Sequence, residues 1–303
     1  MPALKHNSLG ILLKLGATIA FSLMYVAIRL AQPAPIGEVM FFRGFFALVP
    51  LVAVSFFTHG FRSLVQTAHP WLHLRRSVAG TASMFLNFAA VTRLPLADIT
   101  AFSFVAPIFA TVLAALLLHE QVGPHRAAAV VAGFGGVLFM AAPHGFPGMT
   151  VATGSSLGAA FAISGALLSA FVVIFIRQMS GTEHSEAIVF YFMVVCATAG
   201  ALTMLWEHIT IAPTALMWLT LTGILGGIGQ VCMTYSYRYA APSLLAPFDY
   251  TAMIWAVALG YFIFAEVPER IVLAGAGVVI VSSLYIVWRE RLHHLPVAET
   301  PSL

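Results

Sequence analysis

Apolar runs long enough to cross a bilayer follow one another along almost the whole chain, parted by short breaks rich in proline, glycine or charge. A helix needs about 20 residues to cross a hydrocarbon core of about 30 Å. Runs of that size fall at roughly 8–30, 36–57, 74–93, 96–118 and 125–142, and again at 154–176, 186–206, 214–238, 243–265 and 270–288. The pattern predicts an all-α polytopic membrane protein with ten transmembrane helices. The longest polar stretches are residues 58–73 and the tail 289–303. The first run lacks a convincing small-residue cleavage site and begins a series of similar runs, so it reads as a retained span rather than a signal peptide.

Composition agrees with the pattern. The 303 residues are 60% hydrophobic and 8% charged, against about 25% charged in soluble domains, so the chain has too few charges to cover a water-facing surface. Its net charge of +3 comes from basic residues spread along loops, which argues against a nucleic-acid partner. Cys196 and Cys232 sit in apolar runs and read as packing residues without redox signal. With the N-terminus inside, the cytoplasmic ends collect Lys5, Lys14, Arg62, Arg75, Arg76, Arg126, Arg177, Arg238, Arg289 and Arg291, against Arg29, Arg93 and Arg270 outside. That bias predicts cytoplasmic termini, and the membrane expected is the bacterial inner membrane.

The chain also repeats itself. At an offset of 148, Gly10 meets Gly158, Arg29 meets Arg177, Glu38 meets Glu186 and Phe42 meets Phe190; at 146, Gly80 meets Gly226, Phe102 meets Phe248 and Glu120 meets Glu266. Repeat one spans 8–142 and repeat two 154–288. Five spans per copy is an odd number, so successive copies enter the bilayer from opposite sides. The two inverted five-helix repeats that result can open alternately to either face.

These residues carry a family resemblance over nearly the whole chain. FFRGFFAL in span 2 and FVAPIFATVLAALLLHE ending at Glu120 in repeat one, and APFDYTAMIWAVALGYFIFAEVP in repeat two, resemble the drug/metabolite transporter superfamily, in its form with two EamA-type repeats. The resemblance implies a central cavity between the repeats. The APFDYT form is similar to a subgroup that carries vitamins, S-adenosylmethionine and amino-acid-derived metabolites. Repeat two departs from the pattern with Met253 where repeat one has Pro107.

Candidate chemistry lies on a few polar side chains inside the spans. Lys14, Thr18, Ser22, Tyr25 and Arg29 recur at steps of four and three, which puts them on one helical face. Four of the five become alanine or valine in span 6 (Ala162, Ala166, Ala170, Val173), so the scaffold does not require their polarity. They read as a cavity wall, with snorkelling of Lys14 and Arg29 to opposite surfaces as the rival. Arg43 lies well inside span 2, where an arginine costs about 2.5–3.5 kcal/mol on translocon scales, so a partner or a wet cavity is expected. Its guanidinium suits a carboxylate or a phosphate. Asp249 aligns with Ser103 of repeat one and follows Pro247. Irregular helices at matching places in two halves point to a binding site, so Asp249 reads as a counter-charge for a cation or a coupling proton acceptor; the rival is an N-cap. Asn87, Gln230 and Tyr250 join the same cavity or serve as interhelical glue.

Enzyme readings find no support. HEQVGPH at 119–125 lacks HExxH spacing, and Asp249 has no second mid-span aspartate for an intramembrane protease. His69 and His73 stand one turn apart and read as a solvated interfacial pair. No cofactor or metal is called for. Glu120 and Glu266 sit at helix ends and read as caps, and the glycines of GILGGIG, 223–229, as points of close helix contact. The expectation is a secondary transporter for a small polar cargo, probed by Lys14 and Arg43 against Asp249 and therefore zwitterionic and amino-acid-like, with metal-chelating metabolites included, exported rather than imported. The alternatives are uptake of a vitamin or nucleoside-like solute such as riboflavin or S-adenosylmethionine, with Phe41, Phe42, Phe45 and Phe46 as an aromatic box, and a non-transporting scaffold or sensor. The partners are then a small-molecule substrate and the lipid bilayer, and a homodimer stays open.

Overall fold

In hydrocarbon a backbone N–H has no water to bond, so each long apolar run must satisfy its own backbone as a helix. The computed structural model describes residues 2–58, 60–117, 124–144, 153–179, 182–206, 213–240, 245 and 248–293, and among these no strand occurs. The helices are α1 (Pro2–Leu30), α2 (Ile36–Thr58), the one-turn α3 (Arg62–Val65), α4 (Pro70–Val91), α5 (Leu96–Ser103), α6 (Ala106–Leu117), α7 (Pro124–Ala141), α8 (Thr153–Met179), α9 (Ser185–Met204), α10 (Pro213–Tyr239), α11 (Thr251–Phe264) and α12 (Arg270–His293).

Among the described residues, six stretches are long and apolar enough to span: Ser8–Leu30, Ile36–Phe56, Leu96–Leu113, Ser156–Ile176, Glu186–Met204 and Pro213–Ser236. Ala127–Ala141, Thr251–Phe264 and Arg270–Tyr285 are shorter apolar helices. Helix α4 falls in neither group because Arg75, Arg76, Ser77, Thr81, Ser83 and Asn87 dilute it. The chain is a polytopic, all-helical membrane protein.

Two of the expected spans are irregular. The run 96–118 breaks between α5 and α6, where Phe104 and Val105 bond three residues back to Ala101 and Phe102. Pro107 explains the break: it has no N–H for the carbonyl of Ser103, and its ring crowds that carbonyl. In the expected span 243–265, Leu245, Phe248 and Asp249 are helical, Tyr250 is a turn, and α11 follows from Thr251. Pro247 and Glu120 lie outside the described residues.

Packing joins distant parts of the chain. Helix α1 lies along α10 and α8 along α4, while α2 packs on both α9 and α10, and α7 on α12. The α2–α10 crossing is tight: a Cβ on Gly223 would stand 2.4 Å from the carbonyl oxygen of Phe42, and one on Gly227 2.8 Å from the Cα of Ala47. Only glycine permits that approach, as the GILGGIG pattern suggested.

Polar ties close the ends of the helices. Glu266 pairs with Arg29 and accepts the Leu96 N–H at 3.0 Å, capping α5 from a distance. It is delivered there by Ala265, whose φ of 54° ends α11 in the left-handed region. At the start of α4, Glu183 accepts the N–H groups of Ala68 and His69 at 2.9 and 3.0 Å and the Thr67 hydroxyl at 3.1 Å, and it bonds His73 Nε2 at 3.0 Å. The expected solvated pair of His69 and His73 is therefore corrected: His73 is buried because Glu183, from the loop before α9, covers it. Burial pushes the Glu183 carboxyl up, but the hydrogen bonds from His73, Ala68, Thr67 and His69 outweigh it and hold the group below its ordinary value.

Candidate functional site

The polar face of α1 does not look out to the bilayer. Lys14, Thr18 and Ser22 are all buried, and with Tyr25 they form one wall of a cavity of about 490 Å³. Arg43 enters from α2, Asn87 from α4, Ser103 from the end of α5, Gln230 from α10, and Asp249 and Tyr250 from just before α11. These ten residues singled out from sequence line this one cavity, whereas Arg29, the fifth of the α1 stripe, does not and pairs with Glu266. The two irregular places, Ser103–Pro107 and Asp249–Tyr250, both lie on it, because a broken helix leaves side chains and carbonyls facing inward.

Lys14 and Asp249 form an ion pair, with Nζ 2.7 Å from Oδ1. The two partners differ sharply in exposure. The lysine side chain is 1% exposed and the aspartate 46%, so the ammonium sits behind the carboxylate, and the carboxylate faces the open cavity. Snorkelling of Lys14 is thereby corrected. The N-cap of α11 is Tyr250 and carries no side-chain cap bond, so the capping rival for Asp249 is set aside as well. One turn along α1, Thr18 Oγ1 meets Thr251 Oγ1 at 3.1 Å. This second contact fastens α1 to α11.

Arg43 is 1% exposed. Its Nη2 donates to the Gly226 carbonyl at 3.2 Å, and its Nε and Nη1 reach the sulfurs of Met24 and Met193 at 3.2 and 3.3 Å. Gly226 is the floor for this side chain, since a Cβ there would stand 2.1 Å from Arg43 Nε.

Arg76 was missed. Counted above with the cytoplasmic loops, it is instead 4% exposed on the cavity wall, its guanidinium stacked 4.1 Å above the Phe192 ring. A signal existed: Arg76, Gly80, Ser83 and Asn87 recur at steps of four and three, the same spacing as the stripe of α1, and all four line the cavity. A long arginine stem near a helix end serves snorkelling and inward burial equally well, so its position alone did not decide.

The remaining candidates divide. Asn87 Nδ2 donates to the Ser83 carbonyl at 2.8 Å, and Ser83 Oγ bonds the Gly165 carbonyl and Ser169 Oγ at 2.8 and 2.7 Å. Ser83 thus ties α4 to α8, while Asn87 bonds within α4 and lines the cavity. Ser103 Oγ donates to Thr100 O at 2.7 Å yet stands exposed to the cavity, and Tyr250 packs edge-on against Phe104 at 5.0 Å. The aromatic box is corrected: Phe41 stacks on Phe45 and Phe42 on Phe46 along α2, and none of the four lines the cavity.

With this geometry in view, comparison with known proteins is informative. The EamA-like transporter family matches residues 8–142 and 156–288. The pseudopaline exporter CntI of Pseudomonas aeruginosa is 26% identical over 91% of this chain and 94% of its own length. A riboflavin transporter of Rhizobium johnstonii is 26% identical over 90% and 89%, and an S-adenosylmethionine uptake transporter of Rickettsia bellii is 27% identical over 95% and 97%. A solved crystal structure shares the fold at a TM-score of 0.65 and 17% identity, covering 95% of this chain and 99% of that one.

Proposed function

The chain belongs to the EamA-like transporter family of the drug/metabolite transporter superfamily, and on that premise we propose that it is a secondary transporter of the bacterial inner membrane that moves a small polar, amino-acid-like metabolite outward by alternating access. The observation that carries this reading is the convergence of polar side chains from both halves of the chain on one cavity of about 490 Å³, a volume within the usual range for small-molecule sites. Ten spans arranged as two inverted repeats, 8–142 and 154–288, with both termini cytoplasmic, form the frame. The reciprocal packing of α1 on α10 and of α8 on α4 supports that frame.

In this reading the cargo meets charges of both signs, as a zwitterion requires, and metal-chelating metabolites fall within the class. Asp249 is the coupling group, because its carboxylate reaches the open cavity while Lys14 holds it from behind. A cationic group of the cargo or a proton competes with Lys14 for it, and release of that contact removes one of the ties between α1 and the start of α11. Among the relatives, the one named as an exporter supports outward transport, and the one named as an uptake transporter supports the alternative.

Metabolites of cells and medium, compared between a deletion and an overproducing strain, provide the test. Accumulation inside the deletion strain is the expected result. Loss of uptake overturns the direction and favours a vitamin or nucleoside-like cargo. Purified protein that moves no solute in liposomes overturns transport itself in favour of a scaffold or sensor.

A further inference from the structure

The cavity wall holds more positive charge than its carboxylate balances. Its charged lining residues are Lys14, Arg43, Arg76 and Asp249, and Lys14 already engages Asp249 at 2.7 Å. Two guanidiniums are left over. Arg43 reaches only two thioether sulfurs and a backbone carbonyl, groups without net charge. Arg76 is more poorly served, since its buried Nε and Nη1 have no hydrogen-bond partner. Among the described residues neither arginine forms an ion pair.

Both groups also meet α9. Arg43 touches Met193 and Arg76 stacks on Phe192, consecutive residues of α9. A buried cation without a counter-ion is costly. Packing alone gives no reason to keep such a pair, whereas an anion entering the cavity would satisfy both. A guanidinium offers parallel N–H groups that fit the two oxygens of a carboxylate.

We propose that the cargo is a net-negative, dicarboxylic amino-acid-like anion, with Arg43 and Arg76 each gripping one carboxylate and Arg76 setting the preference for acid over amide. This rests on the transporter reading above. The zwitterionic character argued there is retained, since such an anion keeps its ammonium group for Asp249.

Liposomes containing the full chain would be offered L-glutamate with L-glutamine, L-aspartate with L-asparagine, and a whole-cell metabolite extract, with lumenal contents read by mass spectrometry. A charged hydrogen-bonded contact predicts that the acids are favoured over their amides by roughly ten- to hundredfold, and that species taken from the extract carry at least two carboxylates. Arg76→Gln and Arg43→Gln should each bring the acid-to-amide ratio towards one, and Arg76→Lys should retain part of it. Amides moved as well as acids, neutral or cationic extract species moved instead, or an unchanged ratio in Arg76→Gln would each overturn the charge assignment and leave the transporter standing. No movement of any species overturns both. The wild-type ratio decides the matter even where a glutamine variant fails to fold.

Discussion

Removing one member of the Lys14–Asp249 pair should be far more damaging than removing the other. At 2.7 Å and an effective dielectric constant of about 20, the pair attracts by about 6 kcal/mol. Burying the ammonium costs several kcal/mol, so the intact pair adds little net stability. Asp249→Asn deletes the attraction but leaves the 1%-exposed ammonium in place, with a neutral hydrogen bond where the ion pair stood. Breaking a fully buried pair costs about 3–5 kcal/mol, and cavity water around Asp249 reduces this to roughly 2–3. Lys14→Gln instead leaves a carboxylate that is 46% exposed, which water can solvate, for a loss of under about 1 kcal/mol. The double substitution removes both charges and should lie nearer to Lys14→Gln than to the sum. Equilibrium unfolding of purified protein in mixed micelles measures all three. Equal losses for the two single variants, or a double variant whose loss equals their sum, would refute the burial asymmetry from which the coupling role was argued.

Other expectations follow from single contacts. Glu266→Gln removes the charge that pairs with Arg29 and weakens the cap on Leu96; both partners are partly exposed, so the loss should be about 1–2 kcal/mol in the same assay. Gly223→Ala drives a methyl group to 2.4 Å from the Phe42 carbonyl and should cost about 1–3 kcal/mol, whereas Gly135→Ala, with open space around it, should be neutral or stabilising by up to about 1 kcal/mol. The Glu183 carboxyl titrates lower in the folded protein than its ordinary 4.5. Its contribution is therefore fully present above that value and lost as pH falls through the lowered one. The stability gap between wild type and Glu183→Gln should be constant near neutrality and close only in acid; a gap that closes between pH 7 and 5 would contradict the assignment.

Several features were open to reading along the chain because they are local. An apolar run must become a helix in hydrocarbon whatever lies beside it, and steps of four and three share a face on any helix. The stripe Lys14–Thr18–Ser22–Tyr25 was visible for that reason. The glycines at 223–227 announced a close crossing, and Pro107 marked an irregular span.

Partnership between charges was not local. Lys14 proved to be the mate of Asp249, Arg29 the mate of Glu266 and His73 the mate of Glu183, each joining helices or loops distant in sequence. Arg76 was assigned to a surface because a flexible stem near a helix end suits either face of the bundle. Hydropathy and helical period depend on each residue and its near neighbours, so sequence alone determined the helices, the membrane class and the residues that make up the wet faces. The energy of an ion depends on the few ångströms around it, and those are supplied by distant parts of the chain. Only the tertiary structure, therefore, decided which charges are neutralised and which two arginines are left facing the cavity.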